Sequence, residues 1–116
     1  MIFGYARVST DGQTLDAQRE ALTAAGVEKI FSETVSGARS DRRELTRLMA
    51  KLGDGDVLVV TRLDGLARST RDLLNILATI AERGASFRSL AEAWADTTTA
   101  HGRLVITFLG GIAEFE

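Results

Sequence analysis

Apolar and polar positions alternate along the chain in a way that divides it into repeating units. Three amphipathic stretches each end at a glycine and lead into a short run rich in β-branched residues. The first runs from about Asp11 to Ala25, stops at Gly26 and is followed by Val27-Glu28-Lys29-Ile30-Phe31. The second begins at Ser40, carries Leu45, Leu48, Met49 and Leu52 at helical spacing, and stops at Gly53 before Val57-Leu58-Val59-Val60. In the third, Ser69-Thr70-Arg71-Asp72 has capping-box spacing and Leu73, Leu77 and Ile80 form the stripe. Gly84 ends it, and Ser86 to Leu90 follows. Glycine just past a helix supplies the positive φ that this position often takes. With Ile2 to Val8 as the first strand, the order is βαβαβαβ plus a final helix. That alternation predicts an α/β fold of three layers, a mainly parallel central sheet flanked by helices.

The segment from about Thr99 breaks the pattern. Leu104, Val105, Ile106, Phe108, Leu109, Ile112 and Phe115 spread over more than one helical face. A helix that covers one sheet needs one apolar stripe; a second stripe is buried against something else. Two readings stand, a wholly buried core helix and a self-association helix, and the second is favoured. Gly110-Gly111 allows close approach of another backbone, and the pattern reaches Glu116 without a stop signal. The expected organisation is therefore a core over 1–98 and the start of a long interface helix, cut short, over 99–116.

Composition narrows the chemistry. The chain of 116 residues has no cysteine and one histidine, which disfavours disulfides, thiolate metal sites and imidazole zinc sites. Hydrophobic residues make up 45%, enough to form a core without such staples. The start lacks the pattern of a secretory signal, and the longest apolar run, Leu104 to Ala113, is too short to span a membrane. Net charge is −2, which by itself says nothing for a nucleic-acid partner. The average hides a basic segment, Arg39 to Lys51, with five basic side chains against two acidic ones.

In an open parallel sheet, ligands gather at the carboxyl ends of the strands. The residues to weigh there are Arg7, Ser9 and Thr10; Glu33 and Ser36; Arg62, Asp64 and Arg68; and Glu92. Strand alternation puts Tyr5, Arg7 and Ser9 on one face. A serine there, with an arginine two residues back and a helix start ahead, is placed to meet an anion. The plainer alternative is that Ser9, Thr10 or Asp11 only caps the helix. Arg68, at the start of the third helix, opposes the macrodipole, and either a bound anion or Asp64 or Asp72 compensates it. A hydroxyl nucleophile among guanidinium groups, with no histidine base nearby, suits attack on a phosphodiester better than acyl transfer.

These residues resemble the catalytic, N-terminal domain of the resolvase/invertase family of serine recombinases. Tyr5-Ala6-Arg7-Val8-Ser9-Thr10, followed by Gln13, Leu15, Asp16 and Gln18, is similar to the family pattern around its nucleophile. Ser36-Gly37 with Ser40-Asp41-Arg42, and then Leu63-Asp64, Leu66, Arg68 and Ser69, resemble its second and third blocks. The resemblance implies a serine that attacks DNA to form a 5′-phosphoserine link and frees a 3′-hydroxyl. It also implies strand exchange in a tetramer, without metal or other cofactor. Carried over by position, Ser9 is the nucleophile, while Arg7, Arg68 and Arg42 handle the phosphate. Asp64 falls on an acidic residue associated with protonating the leaving 3′ oxygen. Gln13, Gln18, Ser36, Glu33 and Tyr5 fall on supporting positions. The implied partners are the DNA crossover site and further copies of the chain, as homodimer and homotetramer through the C-terminal helix. The implied location is the bacterial cytoplasm, at the nucleoid, with no membrane partner.

The family pattern after the third strand is Leu-Asp-Arg-Leu-Gly-Arg, whereas Leu63-Asp64-Gly65-Leu66-Ala67-Arg68 stands here. Gly65 thus occupies the place of an active-site arginine, and Glu33 stands where aspartate is frequent. The second reading is accordingly a catalytically impaired domain kept for self-association. A third, a flavodoxin-like domain binding a small phosphorylated ligand, is disfavoured because the loop after Ser9 has only Gly12. The family also continues into a helix-turn-helix DNA-reading domain, which is absent from this chain, so weak binding of the crossover site by these residues alone is expected.

Overall fold

The structure, a computed structural model, describes residues 1–9, 15–35, 43–62, 70–100, 102–104 and 108. Four strands alternate with three helices: β1 (Ile2–Ser9), α1 (Leu15–Ala24), β2 (Lys29–Val35), α2 (Arg43–Lys51), β3 (Val57–Val60), α3 (Thr70–Glu82) and β4 (Ser86–Ser89). A 3-10 turn, Ala93–Ala95, follows. The strands form one sheet in the order β2-β1-β3-β4, and every described pairing is parallel. The expected α/β alternation and parallel sheet are both present.

Side-chain alternation builds the layers. Phe3 and Tyr5 of β1, Phe31 of β2, Leu58 and Val60 of β3 and Phe87 of β4 pack with Leu45, Leu48 and Leu52 beneath α2 and Ile76, Leu77 and Ile80 of α3. Ala6 and Val59 point the other way, onto Leu22 of α1. Gly4 lets α1 approach closely, because a β-carbon there would lie 2.9 Å from Val27 Cγ1 and 3.2 Å from Leu22 Cδ1.

Helix ends account for the departures from the expected boundaries. Val27, read from the sequence as the first residue of a strand, belongs instead to the end of α1. Its N–H donates to the Leu22 carbonyl (3.2 Å) and that of Gly26 to Thr23 (3.1 Å), with Gly26 at φ +91°. This is a Schellman closure, completed by the Val27–Leu22 contact, and it postpones strand pairing to Lys29 opposite Phe3. α3 ends the same way, Ala85 donating to Ile80 with Gly84 at φ +76°. Gly53, the expected stop of the second helix, does not take a positive φ; Gly55 does, at +85°. The Gly53 N–H is held by Asp56 Oδ2 at 2.9 Å, so the turn is shaped by a carboxylate and the strained position moves two residues on. β1 runs one residue past Val8 and includes Ser9. Ser40, the expected start of the second helix, lies outside the described residues.

The outer edge of β4 is covered by the segment that follows it. Thr97 N–H donates to the Phe87 carbonyl (2.8 Å), and Phe87 N–H donates to Thr97 Oγ1 (2.7 Å). Thr99 then starts helical backbone at residues 100, 102–104 and 108, its hydroxyl oxygen accepting the Gly102 N–H at 3.0 Å. Among the described residues no helix is long and apolar enough to cross a membrane.

Asp56 also binds the chain's first residue, Oδ1 lying 2.9 Å from the Met1 ammonium. The hydrogen bond to Asp56 raises the ammonium above its ordinary 8.0, and that bond, together with the one from the Gly53 N–H, holds the Asp56 carboxyl below its ordinary 3.8. A raised ammonium stabilises fully below its ordinary value and loses that contribution as pH rises through the folded value. A lowered carboxyl does so above its ordinary value and loses it as pH falls through the folded one. The difference in melting temperature between the native chain and Asp56→Asn is therefore expected to be constant across the neutral range and to shrink at both acid and alkaline extremes. A difference independent of pH would contradict this.

Candidate active site

The sheet order determines where a ligand meets the strands. From β1 the chain crosses by α1 to β2 on one side, then returns past β1 to β3 on the other. The strand order thus reverses between β1 and β3, and in open sheets of this kind ligands bind outside the carboxyl ends of the strands at such a point. Ser9 is the last residue of β1, paired with Val35 of β2, and Arg62 is exposed two residues past β3. A cleft of about 370 Å³ lined by Leu77, Ile80, Gly84, Ser86, Thr97 and Arg103 lies at the opposite end, where β4 begins.

Four predicted site residues, Arg7, Gln18, Tyr5 and Glu33, meet around the end of β1. Arg7 is half-buried and stands opposite Glu33 in the β1–β2 register. Gln18 Nε2, from α1, donates to the Arg7 carbonyl at 3.2 Å, tying the helix to the backbone that carries the guanidinium. Among the described residues no acidic side chain pairs with Arg7. Tyr5, only 2% exposed, donates its hydroxyl proton to Glu33 Oε2. A buried phenol of this kind needs such a partner.

Glu33 does more than accept from Tyr5. Its Oε1 accepts the Glu44 N–H at 3.2 Å and its Oε2 the Leu45 N–H at 3.3 Å. Those are the second and third residues of α2, whose amides have no partner within the helix. A preceding Ser, Thr, Asp or Asn normally accepts from them, but the residue before α2 is Arg42, which has donors only. A carboxylate from β2 therefore does the work of the cap and meets the positive end of the helix dipole, contributing about 1 kcal/mol. The sequence reading put Glu33 in a supporting place without seeing this role; the signal available was an arginine where a capping acceptor belongs. The reading also missed the partner of Tyr5.

Glu92, the remaining strand-end candidate, has a structural use: it accepts the proton of buried Ser89 Oγ at 2.5 Å. Gln13, Ser36, Arg42, Asp64, Gly65 and Arg68 lie outside the described residues, as does the side chain of Ser9. Among the described residues no group of three or more His, Asp or Glu side chains is arranged to hold a metal ion. The basic segment divides in two along α2. Arg43 is at its start, while Arg47 and Lys51 join Lys29 around the Phe31 ring at 5.3–5.9 Å. There the charge of Lys29 lowers Lys51 from its ordinary 10.5.

A family model described as the resolvase N-terminal domain matches residues 2–116. The chain belongs to this family. The resolvase domain is 45% identical over its whole length to the serine recombinase gin of Escherichia phage Mu, and 42% identical to a DNA-invertase of Escherichia phage P1. It spans 60% and 62% of the lengths of those two proteins. Its fold is that of the N-terminal catalytic domain of TP901-1 integrase, with a TM-score of 0.81 and 34% identity over 98% of this chain and 94% of that one. The family expected from the sequence is thus the family found.

Replacing Gln18 by Leu in the resolvase domain removes the donor to the Arg7 carbonyl. A loss of about 0.5–1.5 kcal/mol in unfolding free energy by urea titration is expected. An unchanged midpoint would show that the bond contributes nothing.

Proposed function

We propose that the resolvase domain is the catalytic part of a site-specific DNA recombinase, with Ser9 as its nucleophile. The Ser9 oxygen attacks a backbone phosphorus, the new Oγ–P bond forms and the P–O3′ bond breaks, giving a 5′-phosphoserine enzyme and a free 3′-hydroxyl. The serine proton leaves to solvent or a nearby base, and the departing 3′ oxygen takes up a proton, a step assigned to Asp64. Arg7, Arg68 and Arg42 offset the charge that develops on the phosphoryl oxygens. Reversal of the same step with the exchanged 3′-hydroxyl rejoins the strands, so no energy-supplying cofactor enters. Gln13, Gln18, Ser36, Glu33 and Tyr5 support these groups.

The observation that carries this reading is the position of Ser9 and Arg7 at the carboxyl end of β1, where the strand order reverses, in a chain of this family. Oligomeric action, as dimer and tetramer, is assigned to the helix from Thr99. Leu104 and Phe108, one turn apart, are 68% and 67% exposed in the single chain, which favours burial against another copy. Action on DNA at the bacterial nucleoid follows from the same assignment.

Gly65 supports a second reading, an impaired enzyme that self-associates. One missing donor to a phosphorane-like transition state costs on the order of 10²–10³ in rate. A nicked DNA substrate that traps the phosphoserine link is expected to yield covalent adduct with the native chain and none with Ser9→Ala. Gly65→Arg is expected to raise the rate by about that factor. Adduct formation by Ser9→Ala would refute the role of Ser9, and no gain from Gly65→Arg would refute the impairment.

A further inference from the structure

We propose that Arg62 and Trp94 form a contact strip for the DNA that flanks the cleavage point, so that the duplex lies across the carboxyl ends of β3 and β4. The proposal rests on the recombinase reading for the identity of the ligand. Neither residue has a part in the chemistry assigned to Ser9 and Arg7, yet both stand at the Ser9 end of the sheet. Tyr5 of β1 pairs with Val60 of β3, so Arg7 and Arg62 are each two residues beyond the same rung. β4 continues this edge: the Leu90 N–H donates to the Val60 carbonyl (2.9 Å) and that of Ala91 to Thr61 (3.0 Å). The chain then turns through Ala93–Ala95 and returns along the outside of β4 to Thr97, opposite Phe87. Two to three strand spacings therefore separate Trp94 from β1, about 10–14 Å. Along a DNA strand that is about three to four nucleotides.

The residue types fit this use. Arg62 is exposed, and among the described residues no acidic side chain pairs with it. Its guanidinium is available to meet a phosphate with two donors. Trp94 is 42% exposed, and its indole N–H has no acceptor among the described residues. Its ring offers apolar area to a deoxyribose or base edge, and its N–H offers a donor to phosphate. The turn that carries it is held in place. Ala95 is fully buried, its N–H donates to the Glu92 carbonyl (3.0 Å), and Thr97 exchanges two hydrogen bonds with Phe87. A ligand has only the two side-chain torsions of the indole left to fix. The acidic groups of this turn are engaged: Glu92 accepts from Ser89 Oγ, and Asp96 accepts from the Thr98 N–H and lies 3.8 Å from Arg88. A second copy of the chain is a poorer occupant. The other exposed large apolar side chains among the described residues are Met1, at the opposite end of β1, and Leu104 and Phe108, in the helix assigned to self-association. One indole beside an arginine falls far below the about 800 Å² per partner of a stable protein contact.

Trp94 is the chain's only tryptophan, so its fluorescence reports on this position alone. Two measurements on the whole chain test the proposal, both well below the melting temperature of each variant. The first is a low-salt titration with duplex DNA, binding being followed by the anisotropy of labelled DNA. A saturable change in Trp94 emission is expected to track binding. In Arg62→Gln the slope of log affinity against log salt is expected to be smaller by about 1. Unchanged emission at saturation would overturn the assignment of Trp94, and an unchanged slope that of Arg62. An emission change that follows chain concentration without DNA would place Trp94 between copies and overturn the proposal. The second is phosphoserine adduct formation on nicked duplexes. Trp94→Ala is expected to raise the DNA concentration for half-maximal rate about fivefold, the lower end for an aromatic contact with nucleic acid, while Trp94→Phe retains most of the affinity. Trimming one flank of the duplex to about two base pairs is expected to abolish the difference between native and Trp94→Ala, since the contact lies about three to four nucleotides out. A difference that persists when either flank is trimmed would mean that Trp94 acts through the fold, and would overturn the proposal. If the native chain forms no adduct, the recombinase reading fails instead, and the titration alone decides the strip.

Discussion

β1 is enclosed on every side but one. β2 and β3 use both of its edges for parallel pairing, Phe3 and Tyr5 enter the core beneath α2 and α3, and Ala6 enters the core beneath α1. A strand in that position tolerates apolar or fully satisfied side chains along its length, and charge is admissible only where it emerges. Arg7 and Ser9 stand at that exit. The strand order reverses beside β1, so burial and topology favour polar chemistry at the same end of one strand.

Charge on this molecule is organised by distance rather than by total. A net value of −2 coexists with a basic α2 whose two ends have different surroundings. At its start the helix meets the Glu33 carboxylate, which satisfies two amides and binds Tyr5. At its other end Arg47 and Lys51 share the Phe31 ring with Lys29, and the crowding of like charges lowers Lys51. A further carboxylate, Asp56, closes the loop that replaces the expected glycine stop and holds the first residue of the chain.

Much of the fold was legible beforehand because it depends on local periodicity. The stripes Leu45, Leu48, Leu52 and Leu73, Leu77, Ile80 identified two helices, and the β-branched run Val57 to Val60 identified a strand. Boundaries were less legible, since a capping residue such as Val27 and a strand residue have the same apolar character. Only the hydrogen bond from Val27 to Leu22 separates them. At the site, Tyr5-Ala6-Arg7-Val8-Ser9 was recognisable as a motif, and Glu33 and Gln18 were placed near it by likeness. Their actual partners, the amides of α2 and the carbonyl of Arg7, are backbone groups that no residue pattern encodes.

The sequence by itself determined the family, the alternation of strands and helices, and the residue types available for chemistry. Those properties follow from side-chain periodicity and from the order of short motifs along the chain. Only the tertiary structure decided which strand lies at the centre, where the strand order reverses, and which carboxylate caps α2. Those depend on segments far apart in sequence being brought within hydrogen-bond reach, as Glu33 is with Tyr5, 28 residues before it. Such contacts have no local signature, because the donor and acceptor are chosen by where the backbone arrives.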